Sequence, residues 1–175
     1  NTAYRVESYT VGGQILISPT TYEKVKPIVQ VRSTMEVRFK GIEQRVTLYD
    51  VGSMGGEYQI ALPEKEVYTF IKVEPPIPIA CLALEGKTVS GTSISGYITH
   101  FGGSAADVSM EQPLEVRSNL KILFVSEEAS GLSEVYAKVM SIELSDPKSS
   151  KFKARLEFTW FPDDTKAFIH SFSYQ

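Results

Sequence analysis

The sequence is poor in the residues that form disulfides and soft-metal centres. Its 175 residues include one cysteine and two histidines. A single cysteine excludes an internal disulfide, and three such residues spread along the chain do not form a metal cluster. Cys81 lies in the apolar segment 79–84, so we interpret it as a small buried hydrophobic residue rather than a reactive thiol. We therefore expect no metal site here and a cytoplasmic setting.

Long apolar runs are also missing. No run approaches the roughly 20 residues that a membrane helix requires, and no charged-then-apolar leader is present. These absences predict a soluble chain without direct membrane contact, although a longer protein could carry an anchor before this sequence. The absence of a basic excess in residues 53–175, which carry 11 Lys/Arg against 16 Asp/Glu, argues against nucleic-acid binding.

Residues 1–52 differ in charge from the rest, because they carry seven Lys/Arg against five Asp/Glu, a balance of +2 against −5 for the remainder. Between the two parts, residues 51–57 include three glycines, which remove side-chain packing and permit a positive φ. We predict a linker over residues 53–64. It would join a domain fragment at 1–52 to a second domain at 65–175.

The first part alternates helix and strand signals. A short helix is predicted to end before Gly12, and the apolar run 14–17 is typical of a buried strand. Ser18 is a suitable N-cap for a second helix with Pro19 at its first position. Alternating residues from Met35 to Lys40, followed by the extended run 46–51, predict a hairpin.

The second part is predicted to be almost entirely β. The short extended segments are 67–73, 89–101, 120–125, 135–142 and 152–160. Segment 89–101 is rich in Ser, Thr and Ile, and the last three segments have β-branched or aromatic residues at alternate positions. Short strands at this spacing indicate a sandwich or barrel. Asp163 and Asp164 are candidate caps for a closing helix that runs to Phe172. The fold class predicted for the whole chain is α+β, an α/β segment followed by a mostly antiparallel barrel with a C-terminal helix.

Residues 1–52 resemble the C-terminal part of a class III nucleotidyl cyclase. The resemblance is carried by Asn-Thr-Ala-Tyr-Arg at the start, Gln-Ile-Leu-Ile followed by Ser-Pro-Thr-Thr-Tyr-Glu, and Lys-Gly before Val-Thr-Leu-Tyr-Asp-Val. It implies that Asn1 and Arg5 are catalytic, contacting the ribose and the transition-state phosphate. It also implies that Lys40 binds the triphosphate of the substrate.

The same resemblance implies a reaction and its partners. ATP or GTP would be converted to a 3′,5′-cyclic nucleotide and pyrophosphate at the interface of a homodimer, with Mg²⁺ or Mn²⁺ held by carboxylates that precede this sequence. Arg5 and Lys40 would add positive charge where negative charge develops. Because those carboxylates are not in this chain, we expect the chain alone to make no cyclic nucleotide.

Residues 65–175 resemble a PilZ domain, a small six-stranded barrel that in many bacterial proteins binds cyclic di-GMP. The resemblance rests on segments 96–108, 120–124, 135–139 and 154–158. The motif positions that would contact the dinucleotide fall on His100, Gly102 and Ala105, each a departure from the family. No arginine occurs between Arg45 and Arg117, so bidentate donors are missing before the barrel. We predict a PilZ-like fold that does not bind cyclic di-GMP; if binding were found, Arg117 and Arg155 would be the first candidates to have replaced the missing donors.

Two alternatives to the cyclase stay open at this point. The chain could be a non-enzymatic regulatory module in which the barrel binds a small ligand or a protein. It could also be a degenerate cyclase that serves as a dimerisation scaffold. His100 is interpreted as a surface or hydrogen-bonded histidine rather than a general base. Trp160, which has aromatic neighbours, is interpreted as mostly core with one face exposed for a partner.

Overall fold

A computed structural model describes residues 2–39, 42–64, 67–85, 88–129, 131–146 and 150–171. It is mostly antiparallel β-structure with a closed six-stranded barrel and a few helices. The chain divides into two compact units, Asn1–Glu66 and Val67–Gln175.

The first unit is a small sheet with two short helices. Its elements are α1 (Thr2–Glu7), β1 (Leu16–Ile17), α2 (Pro19–Val25), β2 (Val29–Val37), β3 (Val46–Met54) and β4 (Ile60–Ala61). Strand β3 lies in the centre and pairs antiparallel with β2, β1 and β4. Val6, Leu16, Val37, Phe39 and Leu48 form its buried core.

Local sequence signals account for the start of α2. The Ser18 side-chain oxygen accepts a hydrogen bond from the Thr21 backbone N–H at 3.2 Å, and Pro19 occupies the first turn. This cap satisfies one of the backbone donors that a helix leaves unpaired at its N-terminus. The ring of Tyr22 then stacks on Tyr49 of β3, with centroids 4.0 Å apart. The N-cap prediction is confirmed.

A buried ion pair stabilises the middle of β3. Asp50 is 3% exposed, and its carboxylate accepts hydrogen bonds from Arg32 at 3.3 Å and from Gln14 at 3.3 Å. The aliphatic part of Arg32 lies against Gly52, where an added Cβ would come within 2.3 Å of the arginine Cγ. Gly52 is therefore part of the sheet and leaves room for Arg32.

The second unit is the barrel and one helix. Its elements are β5 (Ile71–Glu85), β6 (Thr88–Gly102), β7 (Ala105–Met110), β8 (Asn119–Phe124), a 3₁₀ turn (Glu127–Ala129), β9 (Val135–Asp146), β10 (Lys151–Trp160) and α3 (Asp163–Ser171). The strands close in the order β10-β7-β6-β5-β8-β9, all antiparallel.

The barrel is filled by alternate side chains of its strands. Ile98, Val108, Leu120, Ile122 and Leu156 are fully buried in one cluster. Ile169 of α3 belongs to the same cluster and is 0% exposed. The predictions of an antiparallel barrel and a helix after Asp163 are confirmed; Phe172, where that helix was expected to end, lies outside the described residues.

Some predicted boundaries differ from the structure. Helix α1 ends at Glu7, earlier than the glycines that were expected to stop it. Part of the predicted linker 53–64 is β-structure, since Ser53 and Met54 pair with Ala61 and Ile60. Glycines that suggest a linker in sequence also occur inside strands. What the two parts of the chain are, a cyclase fragment and a PilZ-like domain, stays a prediction.

Candidate functional site

The outer surface of strands β5, β6, β7 and β10 carries two rows of polar side chains. Strand register places Lys72 opposite His100, His100 opposite Asp107, and Asp107 opposite Arg155. In the neighbouring row, Tyr97 and Lys153 both face Ser109. We define the cationic face by the following residues: Lys72, Tyr97, His100, Asp107, Lys153 and Arg155.

These side chains face outward because their neighbours in sequence fill the core. Ala106 and Val108 on β7, and Ala154 and Leu156 on β10, are all 0% exposed in the barrel cluster. Since side chains in a strand alternate between the two faces, Asp107 and Arg155 must lie on the outside. Asp107 is nonetheless only 3% exposed.

Two cations cover the carboxylate of Asp107. Lys153 Nζ lies 3.0 Å from one carboxylate oxygen, and Arg155 Nε donates a hydrogen bond to the other. Burial alone raises the pKa of Asp107, but the hydrogen bonds and charges of Arg155 and Lys153 outweigh burial and hold this pKa below its ordinary value. Two positive charges and one negative charge leave the cluster with a net charge of +1.

Arg155 keeps hydrogen-bonding capacity beyond Asp107. Its side chain is 39% exposed. Within the described part of the chain, neither of its two terminal nitrogens donates to an acceptor. A partly exposed guanidinium whose terminal nitrogens are not used by such a contact suits bidentate binding of a phosphate or a carboxylate.

The β6 end of the cationic face is held by side-chain hydrogen bonds. Thr99 Oγ1 donates to the backbone carbonyl of Asp107 at 3.2 Å, and His100 Nδ1 lies 3.2 Å from the same hydroxyl. At the β5 end, Lys72 Nζ lies 2.9 Å from the carboxylate of Glu74. That exposed pair contributes little to stability.

A short segment before β5, residues 67–70, passes over the hairpin between β6 and β7, and we call this segment the strap. A Cβ added to Gly102 would lie 2.9 Å from the Thr69 carbonyl oxygen, and one added to Gly103 would lie 2.0 Å from the Tyr68 ring. Both glycines are therefore needed for the strap to lie this close. The ring of Phe70 lies under Arg155, with the guanidinium carbon 3.8 Å from its centroid.

The structure brings three of the predicted site residues together. His100 and Gly102 end β6, and Ala105 begins β7 opposite Gly102. Their role as positions of a cyclic di-GMP motif stays a prediction. Arg5 lies in the last turn of α1 and is partly buried. Asn1 and Lys40 lie outside the described residues.

Sequence reasoning missed the centre of the cationic face. Lys153 was noted only as an alternating residue of a strand, and Asp107 was not singled out. Arg155 was named, with Arg117, only as a residue that could replace the missing arginines if cyclic di-GMP were found to bind. A signal was present, since Asp107 is the one charged residue in the otherwise small and apolar segment 105–108. A charge at such a position needs a partner when it is buried.

Metal-binding and membrane-spanning features were searched over the described ranges. There, no group of three or more His, Cys, Asp or Glu side chains could hold a metal ion. No described helix combines the length and the apolar character needed to cross a bilayer. The Mg²⁺ or Mn²⁺ that the cyclase resemblance implies stays a prediction.

Comparison with solved structures gives a distant similarity. No protein-family model and no curated protein matches the sequence. The fold is similar to a solved structure of the Bacillus subtilis inhibitor of motility MotI/DgrA, with 14% sequence identity and a TM-score of 0.42. The match covers 82% of this chain and 62% of that one, so the chain spans less than two thirds of its length. These comparisons give no support to the cyclase resemblance of residues 1–52.

One prediction about partners was wrong. We expected that the barrel does not bind cyclic di-GMP; the similarity to MotI/DgrA gives that expectation no support, and we correct it. The expectation rested on arginines sought just before the barrel in the sequence. Strand pairing instead brings Arg155 beside Asp107, which is the register partner of His100.

Proposed function

We propose that the second unit is a PilZ-like regulatory module that binds an anionic ligand on the cationic face. The observation that carries the proposal is the cluster in which Arg155 and Lys153 share the buried carboxylate of Asp107. The cluster keeps a positive charge on a unit that is acidic as a whole. Positive charge held in place before a ligand arrives favours phosphate binding, because little reorganisation is needed.

Tyr97 gives the cationic face a second element of recognition. Tyr97 is 53% exposed and lies on β6 in the row next to that of His100. An exposed aromatic ring beside arginine and lysine side chains can stack on a planar base while the cations contact phosphate. Cyclic di-GMP, which combines two purines with two phosphates, is the first ligand to test.

Calorimetric titration of the full chain with cyclic di-GMP tests the proposal. The double variant Lys153→Gln, Arg155→Gln should weaken binding by about 10²- to 10⁴-fold, because two charge-assisted hydrogen bonds of about 1.5–3 kcal/mol each are lost. Lys121→Gln on β8 is the matched control and should bind like the wild type. Titration with inorganic pyrophosphate separates phosphate binding from base recognition. If the wild type binds neither probe, the cationic face is not an anion site.

The first unit has a second candidate function, as part of a cyclase catalytic domain. The observation that favours it is Arg5, which is held in the last turn of α1 and has no described acidic side chain paired with it. In this proposal Asn1 and Arg5 act on ATP or GTP, Lys40 binds the triphosphate, Mg²⁺ or Mn²⁺ is the cofactor, and the working form is a cytoplasmic homodimer.

Activity measurements test this second candidate. The chain alone should form no cyclic nucleotide from ATP or GTP with Mg²⁺ or Mn²⁺, since the metal carboxylates are expected elsewhere. In an active cyclase that contains this sequence, Arg5→Ala should lower kcat by about 10²-fold, the effect of losing one preorganised charge donor. An unchanged kcat would remove Arg5 from the site.

A further inference from the structure

Phe70 has a contact that the binding proposal does not use. Its ring lies under the guanidinium of Arg155 at 3.8 Å, while Asp107 holds the Nε of the same group. A guanidinium is planar, so one ring below it and one carboxylate at its edge together fix its orientation. Only the opposite face and the two terminal nitrogens stay available to a ligand.

The position of Phe70 is set by the hairpin between β6 and β7. The backbone of the strap lies against Gly102, and the Tyr68 ring lies against Gly103, which has a φ of +57°. Any side chain at either glycine would collide with the strap. The Ser104 hydroxyl lies 3.5 Å from the hydroxyl of Tyr68. The strap thus packs against the hairpin, and this packing places the Phe70 ring against Arg155.

We propose that Phe70 is a positioning residue that orients Arg155 for bidentate contact with the anionic ligand. This inference rests on the proposed function of the cationic face. A flexible arginine would have to be ordered when the ligand binds, whereas an arginine already stacked on Phe70 loses less conformational freedom. Residues 68–70, which do not themselves carry charge, would therefore set the affinity of the site.

A ligand-free measurement tests the positioning on its own. In NMR spectra of the full chain, the Arg155 side-chain Nε–Hε signal should show the upfield shift of a group above an aromatic ring. Phe70→Leu should abolish that shift, and Phe70→Tyr should retain it. Gly103→Ala should also abolish it by displacing the strap. Gly91→Ala is the matched control, because Gly91 has a φ of +81° and open space around it.

Affinity provides the second measurement. Phe70→Leu should weaken cyclic di-GMP binding about tenfold, and Phe70→Tyr should restore the affinity. The thermal midpoint of the barrel should fall no further in Phe70→Leu than in Phe70→Tyr. If the wild type binds neither cyclic di-GMP nor pyrophosphate but shows the upfield shift of the Arg155 signal, the proposed function is wrong and the orientation of Arg155 by Phe70 is supported. Binding that is equal in wild type and Phe70→Leu, or an unshifted Arg155 signal, would overturn the positioning.

Discussion

Replacing Asp107 with Asn tests whether the buried carboxylate is what holds the cationic face together. Asn keeps the size of the side chain and removes its charge. Two charge-assisted hydrogen bonds are lost, each of about 1.5–3 kcal/mol. Arg155 and Lys153 are 39% and 46% exposed and can be rehydrated, so we discount the sum to a loss of about 2 kcal/mol.

Trp160 makes this loss measurable in the full chain. It is the sole tryptophan and lies at the end of β10, so its fluorescence follows unfolding of the barrel. A loss of about 2 kcal/mol corresponds to a fall of about 9 °C in Tm for a unit of this size. Glu74→Gln removes a charge from the same face at an exposed pair and should cost less than about 0.5 kcal/mol. Equal losses in the two variants would refute the reasoning.

The pH dependence of the Asp107→Asn difference has a defined sign. Because the folded pKa of Asp107 is held below its ordinary value, the carboxylate stabilises the fold above that ordinary value. This contribution is lost as the pH falls through the lowered pKa. The stability difference between wild type and variant should therefore be constant from pH 7 to about pH 5 and shrink in stronger acid. A difference that grew on acidification would contradict the assignment.

Two further predictions concern buried positions outside the cationic face. Gly52→Ala should displace Arg32 from Asp50 and lower the stability of the first unit by about 1–3 kcal/mol, the usual cost of an unpaired buried group. Urea unfolding followed by circular dichroism measures this loss. The control is Gly12→Ala, because no atom lies within 4 Å of a Cβ added at Gly12. Burial raises the pKa of Cys81 to about 12, so the native thiol should resist alkylation by iodoacetamide at pH 8 and react only after unfolding. Rapid labelling of the native chain would show that Cys81 is accessible.

The sequence predicted those elements that carry their own local signal. Segment 152–160 alternates apolar and polar residues and is a strand, and Ser18 with Pro19 begins a helix. Strand β7 was missed because its residues 105–108 are small and lack β-branched alternation. The second half of β5 was missed because prolines at 75, 76 and 78 suggested a break, whereas the strand continues past them after a shift in register.

The candidate site was less predictable than the fold. Asp107 and Arg155 are far apart in sequence and meet only because β7 pairs with β10. The sequence alone names Arg155 as one possible donor but does not indicate that closure of the barrel places it beside Asp107. The stacking of Phe70 on Arg155 likewise depends on the small volume of Gly102 and Gly103. From the sequence, two glycines indicate a turn or bulge, but they do not indicate that the strap packs against them.

Closure of the barrel limits how another protein can recognise this unit. Among the described residues, 88–95 of β6 extend past β7 and pair with β5 alone. Where the ring closes, each of the six strands pairs with a neighbour on both sides, so that part of the barrel wall presents no free strand edge to which a partner could add a strand. A partner must instead bind side chains, and its specificity then depends on which residues point outward. Point mutations on that outer surface should therefore change recognition without changing the tendency to self-associate through strands. Mutations in β2 differ, because within the described residues β2 pairs with β3 alone and its other edge is open to strand addition.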